Sequence, residues 1–351
     1  MGTTRKEHPM HTANIKPAEI LAAAPDAIAL QMGAAPTSTT HPLAESLSAR
    51  KIAYTIGAKL RKPSDTEGEM AVMARGLRSA DFARLLANGA KNVTVAAFDA
   101  AAQEHLQFTA ATAVEGFKEE TLPSIDGDLD MQPLNEFAEI AHGAAFVAAG
   151  GASVQLTTFG RIVWASRHLI INDQLGALKT VFAAVGAHAA QKEAAIVAAT
   201  LGSNPLMDDG AAMFSDANTT KTALDGAAMG VAMGLLRNQK SAAGNALNLR
   251  AAHLVVAPEL EYAARKAVLD AGLSLKVAAL AGLPAARWFV LPDAAFHPVV
   301  SVLRLAGTPT PLRLEHKVSF DTDGTGIRVT ADLGAAFLRR TGIVRGGSDL
   351  A

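Results

Sequence analysis

Ser48 and Lys51 have the most suggestive spacing for covalent chemistry in this chain. They match the Ser-x-x-Lys arrangement of some acyl enzymes, in which the serine is the nucleophile. The Ser-Asp-Asn and Lys-Thr-Gly elements that accompany this arrangement are missing, so chance explains the match better. A second possible nucleophile, Ser215, lies in the loop 213–218, where no base stands at a recognisable spacing. We interpret that loop as a turn.

His168 is the histidine best placed for acid–base chemistry or metal binding, because Asn172 and Asp173 follow it closely. Capping of a following helix by Asn172 or Asp173 explains these two residues more simply, and we favour that interpretation. The other histidines are scattered along the chain. His253 begins an apolar segment and His316 lies on an alternating one, which is typical of structural residues.

The common catalytic and binding patterns are absent from the sequence. There is no Gly-x-x-x-x-Gly-Lys-Ser/Thr, Gly-x-Gly-x-x-Gly, Gly-x-Ser-x-Gly or His-Glu-x-x-His pattern. There is also no cysteine, which excludes disulfides and thiolate chemistry. We therefore expect a protein that is not an enzyme and that binds no cofactor or metal. The enzymatic hypothesis that remains is a soluble α/β enzyme that uses His168 and Asp173, or the loop around Ser215.

The composition describes a chain that can bury a sizeable core but carries little overall charge. Its 351 residues are 50% hydrophobic and only 5% aromatic, which favours closely packed helices with small side chains. This length allows two or more domains. The formal net charge of −1 gives no global electrostatic case for nucleic-acid binding. The longest apolar run, residues 223–236, is shorter than the ~20 residues that cross a bilayer, so we expect no membrane partner.

Two helices are predicted near the N-terminus, at residues 17–32 and 42–60. The polar stretch 61–68 follows them and is a plausible linker. Two helices joined to the remainder by a polar hinge are expected to form an appendage and not part of the core. Ser79 is then predicted to cap a helix that begins at Ala80, and a second helical stretch covers residues 93–106.

The middle of the chain predicts a long hairpin followed by a long helix. Strand-like alternation over residues 154–164 gives one arm of the hairpin, and residues 144–149 form an apolar tip. Exposed apolar residues on such a hairpin usually mark a partner surface, so Phe146 and Val147 are candidate contact residues. Apolar residues at helical spacing then predict a helix to about Leu201, ~42 Å long at 1.5 Å per residue. A helix of this length suggests a structural spine.

The C-terminal half mixes helices and strands, which makes α+β the expected class. Thr219 or Thr220 is predicted to cap a helix to about residue 239, in which Gly226, Gly230 and Gly234 would allow close approach of a neighbouring element. A buried strand at residues 253–257 precedes a helix at residues 258–271, and strands follow at residues 288–291 and 302–305. Residues 312–320 and 327–331 form the clearest hairpin in the chain.

From about residue 75 onward the sequence resembles the Mu-like major head subunit family, which comprises tailed-phage major capsid proteins with the Hong Kong 97-type fold. Six segments carry the resemblance in a fixed order: residues 79–88, 158–162, 170–177, 201–214, 246–250 and 253–261. Each segment is weak alone, and their order makes the resemblance specific. One departure follows Phe214, where the family often has His-Ala-Asp-His-Gly-Asn and this chain has Ser-Asp-Ala-Asn.

The resemblance implies an α+β, Hong Kong 97-type subunit that is divided into distinct structural parts. Its parts would be an N-terminal helical arm or scaffold-like remnant (1–65), an arm with helices (66–120), an extended loop hairpin (121–165), a peripheral domain with the spine helix (166–204), an axial domain (205–308) and closing strands of the peripheral domain (309–351). Besides Phe146 and Val147, the candidate subunit contacts are Arg161, Trp164, Arg167 and His168.

The function implied is structural. Such a chain self-assembles into hexamers and pentamers of an icosahedral shell, and the shell encloses double-stranded DNA without sequence specificity. Further partners would be portal, scaffold or protease, and decoration proteins. The location would be the virion capsid, assembled in the cytoplasm of a bacterial host. The alternatives within the same class are an encapsulin-like shell and a gene-transfer-agent shell.

Some capsids of this fold join their subunits covalently through a lysine on the extended loop. Here no lysine lies between Lys118 and Lys179. We therefore expect no isopeptide bond from this loop, and a denaturing gel of purified particles should show the monomer band alone. A ladder of covalent oligomers on that gel would contradict the prediction.

Overall fold

The computed structural model describes residues 15–33, 39–101, 103–125, 148–172, 175–241, 244–308, 310–318 and 324–350. Its helices are α1 (Pro17–Gln31), α2 (Ala49–Leu60), α3 (Glu69–Leu77), α4 (Ala80–Ala100), α5 (Arg167–Ile171), α6 (Leu175–Gly202), α7 (Gly226–Asn238) and α8 (Glu261–Asp270). Its strands are β1 (Thr109–Val114), β2 (Glu120–Ile125), β3 (Ala148–Val154), β4 (Thr157–Ser166), β5 (Thr219–Thr220), β6 (His253–Val256), β7 (Lys276–Ala279), β8 (Arg287–Leu291), β9 (Val300–Leu305), β10 (Leu312–Val318), β11 (Gly324–Leu333), β12 (Ala335–Phe337) and β13 (Val344–Gly347). The predicted α+β class is confirmed.

The chain folds as two compact units, each built from separated segments. The first contains Met1–Phe98, Gly160–Ala187 and Arg313–Thr330, and the second contains Asp99–Phe159, His188–Leu312 and Ala331–Ala351. Residues 309–351, expected as one set of closing strands, are therefore divided near residue 330. The physical reason is backbone pairing, because β13 pairs with β5 and β8 within the second unit.

Helices α1 and α2 lie in the core of the first unit, so the expected appendage is wrong. In α1 the buried residues Ile20, Ala23, Ala24, Ala27 and Ile28 recur at helical spacing. They join one apolar cluster with residues of α2, α4, the first half of α6, β4 and β11. Short alanine side chains let these helices approach closely, and a helix with such a stripe must bury it against another element.

Helix α3 follows the polar stretch 61–68 and packs back onto α2 through two glycines. A side chain at Gly57 would collide with the carbonyl oxygen of Val72, and one at Gly76 with the carbonyl oxygen of Ala53. The two helices therefore touch backbone to backbone. Helix α3 was not predicted, because the polar stretch before it has the composition of a linker.

Gly76→Ala should destabilise the first unit, because the added methyl group has no room between α2 and α3. We expect a loss of about 1–3 kcal/mol in the free energy of unfolding, the usual cost of overpacking. The matched control is Gly176→Ala in α6, where an added Cβ has no neighbour within 4 Å. That change should leave stability equal or slightly higher, since alanine favours helix. Urea denaturation of both variants would measure the difference, and equal stabilities would contradict the close contact.

The second unit is built around a five-stranded sheet in the order β5-β13-β8-β6-β7. One face carries α7 and α8, whose buried residues Met229, Leu236 and Val268 pack on Leu254 and Trp288. The other face belongs to a second apolar cluster that includes Phe214, Phe289 and Phe337. All four residues of β6 are buried, as predicted. A smaller sheet has the order β1-β9-β12, with β1 parallel and β12 antiparallel to β9.

The hairpin and the long helix of the middle segment are present with changed boundaries. The alternating stretch 154–164 is two strands, since β3 ends at Val154 and β4 begins at Thr157. β3 pairs antiparallel with β2, a strand that the sequence pattern did not predict. The predicted tip at residues 144–147 lies outside the described residues. The 28-residue helix α6 confirms the predicted long helix.

Helix α7 begins later than predicted. Oδ1 of Asp225 accepts a hydrogen bond from the Ala228 amide at 2.7 Å, which makes Asp225 the N-cap. Thr219 and Thr220, predicted as the cap, instead form β5 beside Arg345 and Gly346. The glycines of α7 face open space, because a Cβ at Gly226, Gly230 or Gly234 would have no neighbour within 4 Å. The predicted close approach is therefore not made by the described part of the chain.

Candidate functional site

The two serines considered as nucleophiles have structural roles. Oγ of Ser48 accepts a hydrogen bond from the Lys51 amide at 3.3 Å and caps α2. The Ser215 amide donates to Oδ1 of Asn218 at 2.8 Å, and Nδ2 of Asn218 donates to the Met213 carbonyl at 3.0 Å. The loop 213–218 is thus a hydrogen-bonded turn, as predicted.

The polar residues of segment 201–214 hold that segment in place. Asn204 makes two hydrogen bonds to the backbone of Phe214, at 2.7 and 3.3 Å. Asp209 makes two with the Arg340 guanidinium, at 2.6 and 2.8 Å. The hydrogen bonds from Arg340, with one from the Ala211 amide, hold the pKa of Asp209 below its ordinary value. The side chains of Asn204 and Asp209 thus stabilise the conformation of this segment.

His168, the second residue of α5, is exposed, and so is Asn172, which lies just beyond the end of this helix. Asp173, Phe146 and Val147 lie outside the described residues. The backbone of Arg167 forms the start of α5. Helix capping by Asn172 or Asp173 therefore stays a prediction. In the part of the chain that the structure describes, no cluster of His, Asp or Glu side chains could hold a metal ion. No helix in that part is both long and apolar enough to cross a bilayer.

Strand β4 carries the candidate contact residues on the open face of a sheet. In the three-stranded sheet β10-β11-β4, β4 is an edge strand. Ala165 and Val163 point to the core of the first unit, whereas Ile162 and Trp164 are 54% and 48% exposed. Because side chains alternate along a strand, Ile162 and Trp164 share the face opposite the core. Arg161 is exposed as well.

A groove of about 370 Å³ runs across this open face. Its lining includes Ile162 and Trp164 from β4, Gly326 and Arg328 from β11, and Glu315 and Lys317 from β10. A Cβ at Gly326 would lie 2.9 Å from the indole ring of Trp164. Glycine at this position therefore lets the indole pack directly on the backbone of β11, with about half of its surface left open. We call this set of residues the Trp164 face.

The rim of the Trp164 face is positively charged. Arg328 forms an ion pair with Glu315, and Arg313 lies 3.4 Å from the same carboxylate. Among the described residues, no carboxylate pairs with Lys317. Among the residues of this face that the structure describes, three cationic side chains thus lie near one carboxylate. Trp164 was predicted as a contact residue and these cations were not, although the alternation of the predicted hairpin places Arg313, Glu315 and Lys317 on one side of their strand.

The second unit buries a charged cluster that the sequence analysis also missed. His105 and Glu193 are 0% and 1% exposed, and Nε2 of His105 lies 3.7 Å from Oε2 of Glu193. Arg304, 22% exposed, donates a hydrogen bond to Oε1 of Glu193. Burial raises the pKa of Glu193, but interactions with His105 and Arg304 outweigh it, so the pKa lies below the ordinary value. Glu193 lies in α6, Arg304 in β9 and His105 in the turn before β1. Because these residues are far apart in sequence, the sequence pattern does not predict the cluster.

The chain matches known proteins at the level of a family. The model of a family described as phage capsid protein matches residues 151–346, which is more than half of the chain. No curated protein matches the chain.

Solved structures of shell proteins show partial similarity. The encapsulin complex from Synechococcus elongatus PCC 7942 is 10% identical, with 70% of this chain and 87% of that chain covered and a TM-score of 0.46. The capsid of an empty GTA particle is 14% identical, with 70% and 89% covered and a TM-score of 0.49. The procapsid of bacteriophage JBD30 is 15% identical, with 77% and 76% covered and a TM-score of 0.44.

The family match includes β4 with the Trp164 face, the long helix α6 and most of the five-stranded sheet. By this match the protein is a shell-forming subunit that associates with copies of itself. The chain belongs to the phage capsid protein family.

Proposed function

We propose that this chain is the major capsid protein of a tailed phage of the Mu-like type, with the Hong Kong 97-type fold, and that it has no catalytic role. Copies of the chain form hexamers and pentamers, and these close into an icosahedral shell. The observation that carries the proposal, beyond the family match, is the Trp164 face. A half-exposed tryptophan in an apolar groove with a charged rim has the anatomy of a protein–protein contact.

The parts of the subunit fit this proposal. Helix α6, about 42 Å long at 1.5 Å per residue, would be the spine of the peripheral domain. The five-stranded sheet with α7 and α8 would be the axial domain, extended by β13 from the C-terminus. Residues 121–165 would form the extended loop, and residues 66–120 the N-terminal arm with its helices. Arg161, Arg167, His168, Phe146 and Val147 would contribute further subunit contacts.

The shell would contain double-stranded DNA, which the protein encloses without binding it strongly. The formal net charge of −1 supports this, because strong DNA binding needs a basic surface. Portal, scaffold or protease, and decoration proteins would be further partners, and assembly would take place in the cytoplasm of a bacterial host. Nuclease treatment of purified particles, followed by extraction, tests the contents. Protected DNA supports the proposal, and protein cargo without DNA supports an encapsulin-like shell.

Trp164→Glu should block assembly while leaving the subunit folded. The indole packs on the sheet surface and is half exposed, so its loss removes little core, whereas a carboxylate in the groove opposes docking of an apolar partner. Negative-stain electron microscopy and size-exclusion chromatography should show closed particles for the wild type and for Trp164→Phe, but small oligomers for Trp164→Glu. Circular dichroism checks that all three are folded. A wild-type protein that stays monomeric would overturn the shell function itself.

A further inference from the structure

We propose that Arg345, Arg287 and Thr219 form a binding site for a small tetrahedral oxyanion of the phosphate class. We call these three residues the Arg345 site. They come from β13, β8 and β5, which are neighbouring strands of the five-stranded sheet. All three residues lie in the second unit, and the proposal does not depend on the shell function.

Arg345 is a buried cation on an apolar face of this sheet. Its partner in the register of β8 is Phe289, a member of the second apolar cluster, and Arg345 itself is only 9% exposed. Among the described residues no carboxylate pairs with the Arg345 guanidinium, and its Nε is buried without a hydrogen-bond partner. Burial of a charge costs free energy unless an opposite charge and hydrogen bonds replace the lost water. An anion bound here would supply both.

The Phe214 ring positions the guanidinium without occupying its donors. The guanidinium carbon of Arg345 lies over this ring, 4.4 Å from the ring centre. The contact compensates part of the cost of burial, because a cation is attracted to the face of an aromatic ring. The ring offers no lone pair to the N–H groups, so these remain able to donate to an oxyanion. A side chain that is already held in place also loses less entropy when it binds.

Thr219 places a hydroxyl group beside Arg345. The two residues are paired in the register of the parallel strands β5 and β13, so their side chains leave the sheet on the same face. Oγ1 of Thr219 is buried and has no hydrogen-bond partner among the described residues. A hydroxyl group can donate one hydrogen bond to an oxyanion. Two buried polar atoms that lack partners, Nε of Arg345 and Oγ1 of Thr219, therefore lie on adjacent strands and on the same face.

Arg287 adds a second guanidinium to this face. It is paired with Gly347 in the register of β8 and β13, and Gly347 lies two residues beyond Arg345, so the two arginines share a face. Nε of Arg287 donates to both oxygens of Asp349, at 2.7 and 2.9 Å, while its Nη atoms make no hydrogen bond within the described part of the chain. Burial and the Arg287 guanidinium lower the pKa of Arg345, and Asp349 only partly offsets them. The site therefore keeps a net positive charge.

The donors of the Arg345 site suit a phosphate or sulfate ion. Guanidinium groups bind phosphate oxygens by paired hydrogen bonds, and they stay charged at any ordinary pH. A tetrahedral oxyanion has enough oxygens to accept from two guanidiniums and a hydroxyl together, whereas a carboxylate has only two oxygens. The small exposed fraction of Arg345 favours a free ion over a phosphate group within a nucleic acid, because a polymer needs an open surface.

Equilibrium dialysis of the purified full chain against radiolabelled inorganic phosphate tests the site, with sodium chloride used to keep the ionic strength constant. We expect saturable binding that excess sulfate displaces. Arg345→Met should abolish this binding, because methionine keeps an apolar contact with Phe214 and removes the guanidinium. Thr219→Val, of nearly the same shape, should weaken binding about twofold to tenfold, the effect of one lost hydrogen bond. Arg265→Met, which removes an exposed arginine of the same unit, is the matched control and should bind phosphate normally.

Thermal unfolding gives an independent readout of the same binding. Phosphate at about ten times its Kd should raise the Tm of the wild type by about 2–4 °C, because a ligand that binds only the folded state stabilises it. In chloride alone, Arg345→Met should have a Tm at or above that of the wild type, since an unpaired buried charge has been removed. Phosphate should then leave the Tm of this variant unchanged. General exclusion of phosphate from protein surfaces would instead raise both Tm values equally and without saturation.

Loss of saturable phosphate binding in Arg345→Met, with binding kept in Arg265→Met, supports the site. Equal phosphate binding by the wild type and Arg345→Met, or no saturable binding by the wild type, overturns it. If Arg345→Met does not fold, Thr219→Val decides, because a weakened affinity supports the site and an affinity equal to that of the wild type contradicts it. A short double-stranded DNA that displaces the ion as well as sulfate does would overturn the assignment to a free ion.

Discussion

A chain that begins at residue 61 is expected to be insoluble or unfolded. Helices α1 and α2 supply much of the apolar core of the first unit, including Ile28 and Ile52, which are fully buried. Without them, Phe82, Phe182 and Ile327 lose part of their cover and face water. The loss of even one large buried side chain costs about 2–5 kcal/mol, and a whole domain is stable by only about 5–15 kcal/mol. Removal of two core helices exceeds that margin.

Expression of the shortened chain beside the full chain tests this expectation. The full chain should be soluble with a cooperative urea transition, and the shortened chain should be found in the insoluble fraction or show no transition. Point variants separate a specific loss of packing from a general effect of shortening. Ile28→Ala should lower the free energy of unfolding by about 2–5 kcal/mol, whereas Met70→Ala, at a residue of α3 that is largely exposed, should change it by less than about 1 kcal/mol. A soluble, cooperatively folding chain from residue 61 onward would contradict the place of α1 and α2 in the core.

The sequence pattern predicted the helices of this region but not their role. The buried stripe of α1 is mostly alanine, and alanine also occurs on exposed helix surfaces because it is the best helix former, so it does not reveal which face is covered. The polar stretch 61–68 has the composition that is typical of a linker between domains. Only the contacts of Gly57 and Gly76 show that the chain turns back and packs. A glycine in a helix is ambiguous from sequence, as Gly226, Gly230 and Gly234 of α7 demonstrate by facing open space.

The strands that the sequence analysis missed share a physical cause. β1, β7, β12 and β13 are short, and each gains its hydrogen bonds from a strand that is distant in sequence or lies beyond a helix. Local periodicity over three to six residues cannot predict such pairing. β6 was predicted because Leu254, Val255 and Val256 form a continuous apolar run. In the candidate site, Trp164 was predicted because a tryptophan is conspicuous on a strand with alternating polarity. The role of Gly326 was not predictable, because it depends on the indole ring that packs against it in the folded chain.

Glu193→Leu should be strongly destabilising, by about 3–5 kcal/mol, although it replaces a charge by an apolar residue in a buried place. The carboxylate is 1% exposed and accepts a hydrogen bond from Arg304, so the change leaves the Arg304 guanidinium without its anion. Replacement of both partners, Glu193→Leu with Arg304→Leu, should recover most of the stability, because an apolar pair of similar volume often substitutes for a buried ion pair. Glu261→Leu is the control, since its pair with Arg265 is exposed and contributes less than about 1 kcal/mol.

The pH dependence of the same site separates charge from packing. The pKa of Glu193 is lowered in the folded chain, so the carboxylate stabilises the folded state at pH values above its ordinary pKa of 4.5, and this contribution is lost as the pH falls through the lowered value. Glu193→Gln keeps the shape and removes the charge. Urea denaturation should therefore show a constant difference between the wild type and Glu193→Gln from neutral pH down to about pH 5, and a shrinking difference in more acidic solution. A difference that stays constant through this acidic range would mean that Glu193 stabilises the unit through packing alone, and the charged cluster would then have no energetic role.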